Sequence, residues 1–278
     1  MERKLIKQGR NALTVTLPAK WLKEKGLKNG DTVQINTKNK ELTITTSGGA
    51  DNKETTIDTK GWDQKMLHHV LNARYIEGYD NISIYHDKNQ RFTDIPAHYL
   101  GMIIESHSEE HTVLKSTIKV PEDTFQSLLR RSAHILLELA RMLESKIAKK
   151  TTDAEIKEQE FLLDYNLRYC LRYLNKYEQT ERAYKYFLLC ATLESAGDYI
   201  RKIAQHNKDK KLARIIIHGM EEYTNNLFRN DVKNTYKSLR EFRLQIPQNT
   251  FVEGIAQSLA ENLYNFVAYL AETNPTAP

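Results

Sequence analysis

The sequence predicts an α+β protein built from three parts, and three observations lead to that prediction. Near the N-terminus, apolar residues alternate with threonine over residues 13–17, as in a strand with one buried face. Residues 51–118 alternate between helix-like and strand-like patterns. From Pro121 onward, apolar residues recur every three or four positions, as in amphipathic helices. We therefore predict domains at residues 1–50, 51–118 and 119–278.

The first part reads as strand, turn, strand, short helix, strand, hairpin and strand. Leu13, Val15 and Leu17 alternate with threonines and predict a half-buried strand. AKWLKEKGL predicts a short helix that ends at Gly26, and TVQIN and ELTITT predict two strands joined by the turn TKNK. A unit of this size buries too little apolar surface to be stable alone. We therefore expect it to need a partner subunit.

Charge is concentrated in the same part. Residues 1–50 contain ten Lys or Arg and four Asp or Glu, a net charge of +6, whereas the whole chain carries +5. A basic excess at one end is the pattern expected of a protein that binds a polyanion, because phosphate contacts supply most of the sequence-independent affinity for DNA. A lysine-rich solvated surface would give the same composition, and charge alone does not separate the two.

The segment KLIKQGRNALTVTLPAKWLKEKGLKNGDTVQI resembles the AbrB/MazE-type swapped-hairpin domain, over about the first 46 residues. The resemblance implies an intertwined homodimer, formed through this domain, whose basic loops contact DNA. The DNA-contacting residues that it implies are Lys4, Lys7, Arg10 and Asn11. Members of the family often carry Arg on the strand where this chain has Thr14 and Thr16, so base-specific readout is less expected than binding itself.

The middle part predicts a small α/β connector. Helices are predicted from WDQKMLHHVLNARYIEG and DIPAHYLGMIIES, and strands from NISIYH and TVLKSTIKV. His107 and His111 lie in ESHSEEH, which lacks the H-E-x-x-H order of zinc proteases and stands where the pattern changes from helix to strand. This context favours a solvated loop over a zinc site.

The last part predicts six helices arranged as two three-helix units. A weak internal repeat supports that arrangement, since residues 193–200 can be laid without a gap against residues 260–267. In this register an acidic residue is retained, and Asn265 stands opposite Asp198.

Four acidic residues lie close to the apolar faces of the second and third of these helices. Glu160 and Asp164 fall within the apolar stripe of one helix, and Glu194 and Asp198 lie beside the stripe of the next, where we expect half-burial. Two E-x-x-x-D pairs on consecutive helices could converge on a metal ion, since carboxylates suit hard or borderline cations. The alternative is a helix-packing network of ion pairs with Arg168, Arg172 or Arg201.

EFLLDYNLRYCLRYL and YKYFLLCATLESAGDYIRKIA are similar to the PhoU family, helical regulators of phosphate uptake, and the likeness spans about residues 120 to 272. The E-R-I-G-D-like sequence of that family matches Glu194, Gly197 and Asp198. The resemblance implies iron or zinc clusters held by acidic residues, and contact with a phosphate transporter or its signalling kinase. Asn265 replaces an acid in the second repeat, which argues against a second cluster.

The two resemblances together are typical of archaeal-type phosphate uptake regulators. They predict a homodimeric DNA-binding transcription regulator that acts in phosphate homeostasis, with no enzymatic activity. The alternative is an adaptor that regulates a phosphate transporter by protein contact without binding DNA. A carboxylate-bridged dimetal enzyme is disfavoured because the helices lack Glu-x-x-His pairs and no nucleophile and base can be assigned.

Localisation is predicted to be cytoplasmic. No segment approaches the ~18 uninterrupted apolar residues of a membrane span, and the N-terminus lacks the apolar core of a secretory signal. Cys170 and Cys190 lie in helical patterns without metal-ligand spacing and are predicted to be reduced core residues.

Overall fold

The chain is seen in a computed structural model, which describes residues 2–9, 12–38, 41–46, 52–117, 122–178, 181–229 and 231–271. It forms two compact units, Met1–Asp51 and Asn52–Pro278. Strands dominate the first unit, and helices dominate the second. The predicted α+β class is confirmed.

The first unit contains two hairpin-like strand pairs separated by a helix. Its elements are β1 (Ile6–Gln8), β2 (Ala12–Thr14), α1 (Ala19–Glu24), β3 (Val33–Lys38) and β4 (Glu41–Thr46). β1 pairs antiparallel with β2, and β3 pairs antiparallel with β4. The helix stops where Gly26 adopts a left-handed φ of 64°, a conformation that glycine reaches without steric cost.

Among the residues of the first unit whose exposure the structure describes, none is buried. The half-buried strand predicted from Leu13, Val15 and Leu17 is wrong for the single chain at Leu13 and Val15, which are 61% and 42% exposed, whereas Leu17 is half-buried. The physical reason is the topology, because two separate two-stranded sheets offer no second layer against which an apolar face can pack.

The second unit begins with a four-stranded sheet. Its elements are β5 (Glu54–Asp58), α2 (Gln64–Ile76), β6 (Asn81–Tyr85), α3 (Ile95–His98), β7 (Met102–His107) and β8 (His111–Ser116). The strand order is β5-β6-β8-β7, in which β5 and β6 are parallel and the other pairs are antiparallel. Parallel neighbours need a crossover, and α2 supplies it.

Two predictions for this segment are wrong. DIPAHYLGMIIES was expected to be one helix, but α3 has only four residues, and the chain turns at Gly101 (φ 79°) into β7. His107 and His111 lie on β7 and β8 instead of a solvated loop, and their rings contact Thr112 Oγ1 and Ser83 Oγ at 2.7 Å each. No strand was predicted at the position of β5.

In the described part of the chain from residue 122 onward, six helices follow at the positions predicted from periodicity. They are α4 (Glu122–Ile147), α5 (Asp153–Tyr177), α6 (Glu181–His206), α7 (Lys210–Leu227), α8 (Val232–Gln245) and α9 (Phe251–Ala271). Helices α4, α5 and α6 pack against one another, α7 packs on α4 and α8, and α9 packs on α6 and α8. Within the described ranges, none of the helices has the length and apolar character needed to cross a membrane.

The sheet segment and the helices share one core because α2 packs on α5. Arg172 of α5 is 5% exposed, and its Nη1 donates to the carbonyl oxygens of Tyr75 and Tyr79 at 2.8 and 2.7 Å. Its Nη2 donates to Asp80 Oδ1 at 2.8 Å. A cation from α5 therefore satisfies the carbonyl end of α2, where a helix leaves acceptors unpaired.

Candidate functional site

The crossing of α5 and α6 depends on a glycine. A Cβ atom added at Gly197 would lie 2.5 Å from Leu163 Cδ2, closer than carbon atoms approach without displacement. Leu163 is fully buried, so it has little room to move. The absence of a side chain at Gly197 therefore lets the helices approach closely and brings the acidic pairs beside this crossing together.

Two arginines contact three of the four acidic side chains. Asp164 Oδ2 accepts a hydrogen bond from Arg168 Nη2 at 2.8 Å. Arg201 bridges the two helices, since its Nε donates to Glu160 Oε1 at 3.3 Å and its Nη2 donates to Asp198 Oδ1 at 3.1 Å. Two of the predicted arginine partners thus bind the acids.

The four acids differ in exposure. The side chains of Glu160 and Asp164 are 16% and 18% exposed, and that of Asp198 is 41% exposed. Glu194, for which half-burial was predicted, is exposed. It occupies the outer side of α6, because the α6 positions that face the core are taken by Leu193, Ala196 and Ile200.

The carboxylates also perturb one another's proton affinity. Burial raises the pKa of Asp164 to about 7, Arg168 opposes that rise, and the charges of Glu160, Glu194 and Asp198 add to it. The pKa values of Glu160 and Glu194 are raised as well, first by desolvation and then by the charge of Asp198, with Arg201 opposing the rise at Glu160. Four carboxylates lie near two guanidinium groups and the Lys202 ammonium group, and the remaining negative charge favours a bound proton or another cation.

The donor set of this cluster suits a metal ion only in part. Carboxylate oxygens are ligands that iron and zinc accept. Three of the four acids contact arginines in this arrangement, and among the described residues no three His, Cys, Asp or Glu side chains are placed so that they could hold one metal ion. A metal at this position would therefore compete with Arg168 and Arg201 for the same oxygens.

The sheet segment reaches the edge of the cluster through α3. The His98 ring meets Phe161 of α5 edge-on at 4.9 Å between centroids, and His68 Nε2 lies 3.5 Å from Asp94 Oδ2. The pKa of His98 is lowered by burial and next by His68, and Arg168 contributes in the same direction. Sequence reasoning missed these residues, because no local pattern links α3 to α5.

The corresponding crossing of α8 and α9 is different. In the predicted repeat register, the buried positions of α6 coincide with buried positions of α9, namely Leu189 with Ala256, Leu193 with Ala260, Ala196 with Leu263 and Ile200 with Val267. Tyr264 then stands where α6 has Gly197, and its hydroxyl donates to the Tyr236 hydroxyl at 2.7 Å. A tyrosine pair and Asn265 therefore lie where an acid cluster would be repeated.

The residues predicted to contact DNA are only partly described. Lys4 and Lys7 are exposed, and neither forms an ion pair with a described residue. Arg10 and Asn11 lie outside the described residues.

Comparison of the chain with protein-family models, curated proteins and solved structures gave no match.

Proposed function

We propose that this chain is a homodimeric DNA-binding transcription regulator of phosphate uptake. Its first unit would bind DNA, and the carboxylate cluster of its helical part would sense or transmit a signal. The observation that carries the proposal is the first unit itself, which combines a net charge of +6 in residues 1–50 with apolar side chains that the single chain leaves exposed.

The exposed apolar residues argue for a second copy of the chain. Leu5, Leu13, Ile35 and Leu42 are each more than half exposed. Burying apolar surface is worth roughly 25 cal/mol per Å², so covering these side chains favours association. A second copy in the swapped-hairpin arrangement would place two further strand pairs against them and complete a core that one chain lacks.

The charge argues for DNA as the ligand of that dimer. Dimerisation would place two sets of basic residues on one body, and Lys4 and Lys7, which form no ion pair with a described residue, would be available to contact phosphates. Lys4, Lys7, Arg10 and Asn11 are the residues proposed to make these contacts.

Fluorescence anisotropy of the full chain with labelled duplex DNA across a salt series tests the proposal. Replacing Lys7 and Arg10 by Ala should weaken binding and reduce the slope of log K against log salt by about 0.9 for each phosphate that is no longer neutralised. The matched control replaces Lys150 and Lys157, two exposed lysines of the helical part, and should leave the slope unchanged. An unchanged slope in the Lys7/Arg10 variant would remove these residues from the interface.

Sedimentation separates dimerisation from DNA binding. The full chain should be a dimer, and a chain lacking residues 1–51 should lose that association while its helical part remains folded, because the two units are compact separately. A dimer that survives the truncation would contradict the role of the first unit.

The adaptor alternative has an observation in its favour. Tyr184 and Phe187 are 59% and 38% exposed on α6, the helix that also carries Glu194 and Asp198. Exposed aromatic side chains are common at protein–protein contacts. A dimer that binds no DNA at low salt would favour an adaptor that contacts a phosphate transporter or its signalling protein.

Iron or zinc at the cluster remains part of the proposal. Glu160, Asp164, Glu194 and Asp198 would hold the ion, which would neutralise negative charge that the two arginines leave uncompensated. Without the ion, the arginines and a proton bound to Asp164 neutralise part of the negative charge of the cluster.

A further inference from the structure

Helices α5 and α6 meet along a seam whose register is fixed by two contacts. Glu160 of α5 pairs with Arg201 of α6, and Leu163 lies where a Cβ atom on Gly197 would stand. Residue numbers rise along α5 as they fall along α6 in these contacts, so the two helices run antiparallel. Any further pair of facing residues can be located by continuing this register along both helices.

The two cysteines of the chain occupy facing positions of this register. Cys170 follows Leu163 by seven residues on α5, and Cys190 precedes Gly197 by seven residues on α6. Seven residues are about two helical turns, so each cysteine returns to the side of its helix that faces the other helix. Both cysteines are 0% exposed, as expected of residues at the centre of a helix contact.

The two thiols also contact each other. A hydrogen bond with Cys170, and next burial, raise the pKa of the Cys190 thiol. Cys170 Sγ lies 4.0 Å from the carbonyl oxygen of Phe125 on α4, to which its S–H group can donate. The sulfur atom of Cys170 therefore remains available to accept from the Cys190 thiol. The helix register and this contact agree in making the two sulfur atoms neighbours.

The close approach of the helices suits a bond between these sulfur atoms. The Cα atoms of bridged cysteines lie about 4.4–6.8 Å apart, so two helices joined by a disulfide must be in close contact. Gly197 provides such contact two turns away, because its missing side chain admits Leu163. The feature that brings the acidic pairs together therefore also favours a disulfide.

We propose that Cys170 and Cys190 form a reversible disulfide that ties α5 to α6 beside the carboxylate cluster. The oxidant is a low-molecular-weight disulfide. One cysteine thiolate attacks it, forming a mixed disulfide and releasing one thiol, and the second thiolate then displaces the other half as a second thiol. The chain thereby loses two protons and two electrons, and the oxidant gains them. The proposal is independent of DNA binding.

Burial sets the rate of this exchange. A buried thiol stays protonated and meets no oxidant, so exchange follows a transient opening of the contact between α5 and α6. Once the helices close again, the fold holds the two sulfur atoms together. Formation should therefore be slow, and the disulfide should be more stable in the folded chain than in the unfolded chain.

Equilibration of the full chain with mixtures of reduced and oxidised glutathione tests the proposal. The intact mass should fall by that of two hydrogen atoms. Trypsin cleaves after Arg168, Arg172, Lys185 and Arg201, so a digest without reductant should contain a linked pair of peptides, one from α5 and one from α6. The equilibrium constant for the internal disulfide should be about tenfold larger, or more, in the folded chain than in urea. Approach from the reduced and the oxidised side establishes equilibrium.

Cys170→Ala and Cys190→Ala each leave one thiol and are the matched controls. Each should form only a mixed disulfide with glutathione, and circular dichroism checks that each remains folded. The linked peptides of the unmodified chain are decisive even where a variant fails to fold. Absence of the linked pair, a linkage between two chains in its place, or an equilibrium constant no larger in the folded chain than in urea would overturn the proposal.

Discussion

Arg172 and Asp80, separated by 92 residues in the sequence, form an ion pair that is almost entirely buried. The Nη2–Oδ1 distance is 2.8 Å, and the two side chains are 6% and 9% exposed. Lys176 also contacts Asp80, so two cations share one carboxylate at the junction of α2 and α5. This arrangement makes the sheet segment and the helices a single body.

The first prediction concerns this pair. Asp80→Asn leaves Arg172 and Lys176 buried without a counter-charge and should lower the free energy of unfolding by about 3–5 kcal/mol. Urea unfolding at pH 7 measures it. Glu77→Gln breaks the exposed ion pair with Arg74 at 2.6 Å and should cost less than about 1 kcal/mol. Equal effects of the two substitutions would show that burial of Asp80 does not matter.

The second prediction concerns the helix crossing. Gly197→Ala should destabilise the protein by about 1–3 kcal/mol, because the new methyl group overpacks against Leu163. Gly254→Ala is the matched control, since a Cβ there meets no neighbouring atom and alanine favours the helix by up to about 1 kcal/mol. Thermal melts of both variants decide the matter. Stabilisation by both substitutions would mean that α5 and α6 are not in close contact at this point.

The third prediction concerns pH. The folded-state pKa of Asp164 is raised to about 7, above its value in the unfolded chain, so the folded state binds the extra proton. The resulting stability is fully present below about pH 4 and is lost as the pH rises through 7. Its upper limit is on the order of 4 kcal/mol. The pKa values of Glu160 and Glu194 are raised as well, so the informative quantity is the difference between a variant and the unmodified chain.

Asp164→Asn should remove this contribution, so that the variant loses less stability between pH 5 and pH 8 than the unmodified chain does. Glu158→Gln changes an exposed acid on the same helix and should preserve the original pH dependence. Urea unfolding at several pH values tests both. An identical pH profile for the Asp164 variant and the unmodified chain would exclude a titrating Asp164.

The fourth prediction concerns metal ions. Arg201 contacts Glu160 and Asp198, so Arg201→Gln should free both carboxylates and increase the rise in melting temperature that added zinc produces. A metal that binds only the folded state at 100 times its dissociation constant stabilises by about 2.7 kcal/mol. Asp164→Asn combined with Asp198→Asn should abolish the effect, and a chelator should reverse it. If added zinc leaves the melting temperature of every variant unchanged, the cluster does not bind zinc.

Hydrophobic periodicity predicted α4 to α9 well because each is an amphipathic helix whose apolar stripe determines its packing. It failed at β7, where the short apolar run in Met102 to His107 is compatible with either a helix or a strand. This segment is a strand because it pairs with β8. It also missed β5, a short edge strand without apolar alternation.

The candidate site was predictable in part for the same reason. Glu160 and Asp164 could be placed because they fall within the apolar stripe of their helix. The contact of His98 with Phe161 could not be foreseen, since it depends on how α3 is positioned by the sheet. Periodicity also does not indicate which arginine pairs with which acid. Arg172 was predicted as a possible partner of the four acids, but its ion pair is with Asp80.

The tyrosine pair at the α8/α9 crossing makes the bundle electrically asymmetric. The pKa of Tyr264 is raised by its hydrogen bond to Tyr236, and phenols already ionise near pH 10, so Tyr264 stays neutral across the range in which Asp164 titrates. Gain or loss of one proton therefore changes the repulsion between α5 and α6 and leaves α8 and α9 unaffected. Helix α6 packs against both α5 and α9. A change in the repulsion between α5 and α6 would therefore act on one side of α6, while the contact on its other side keeps the same charge.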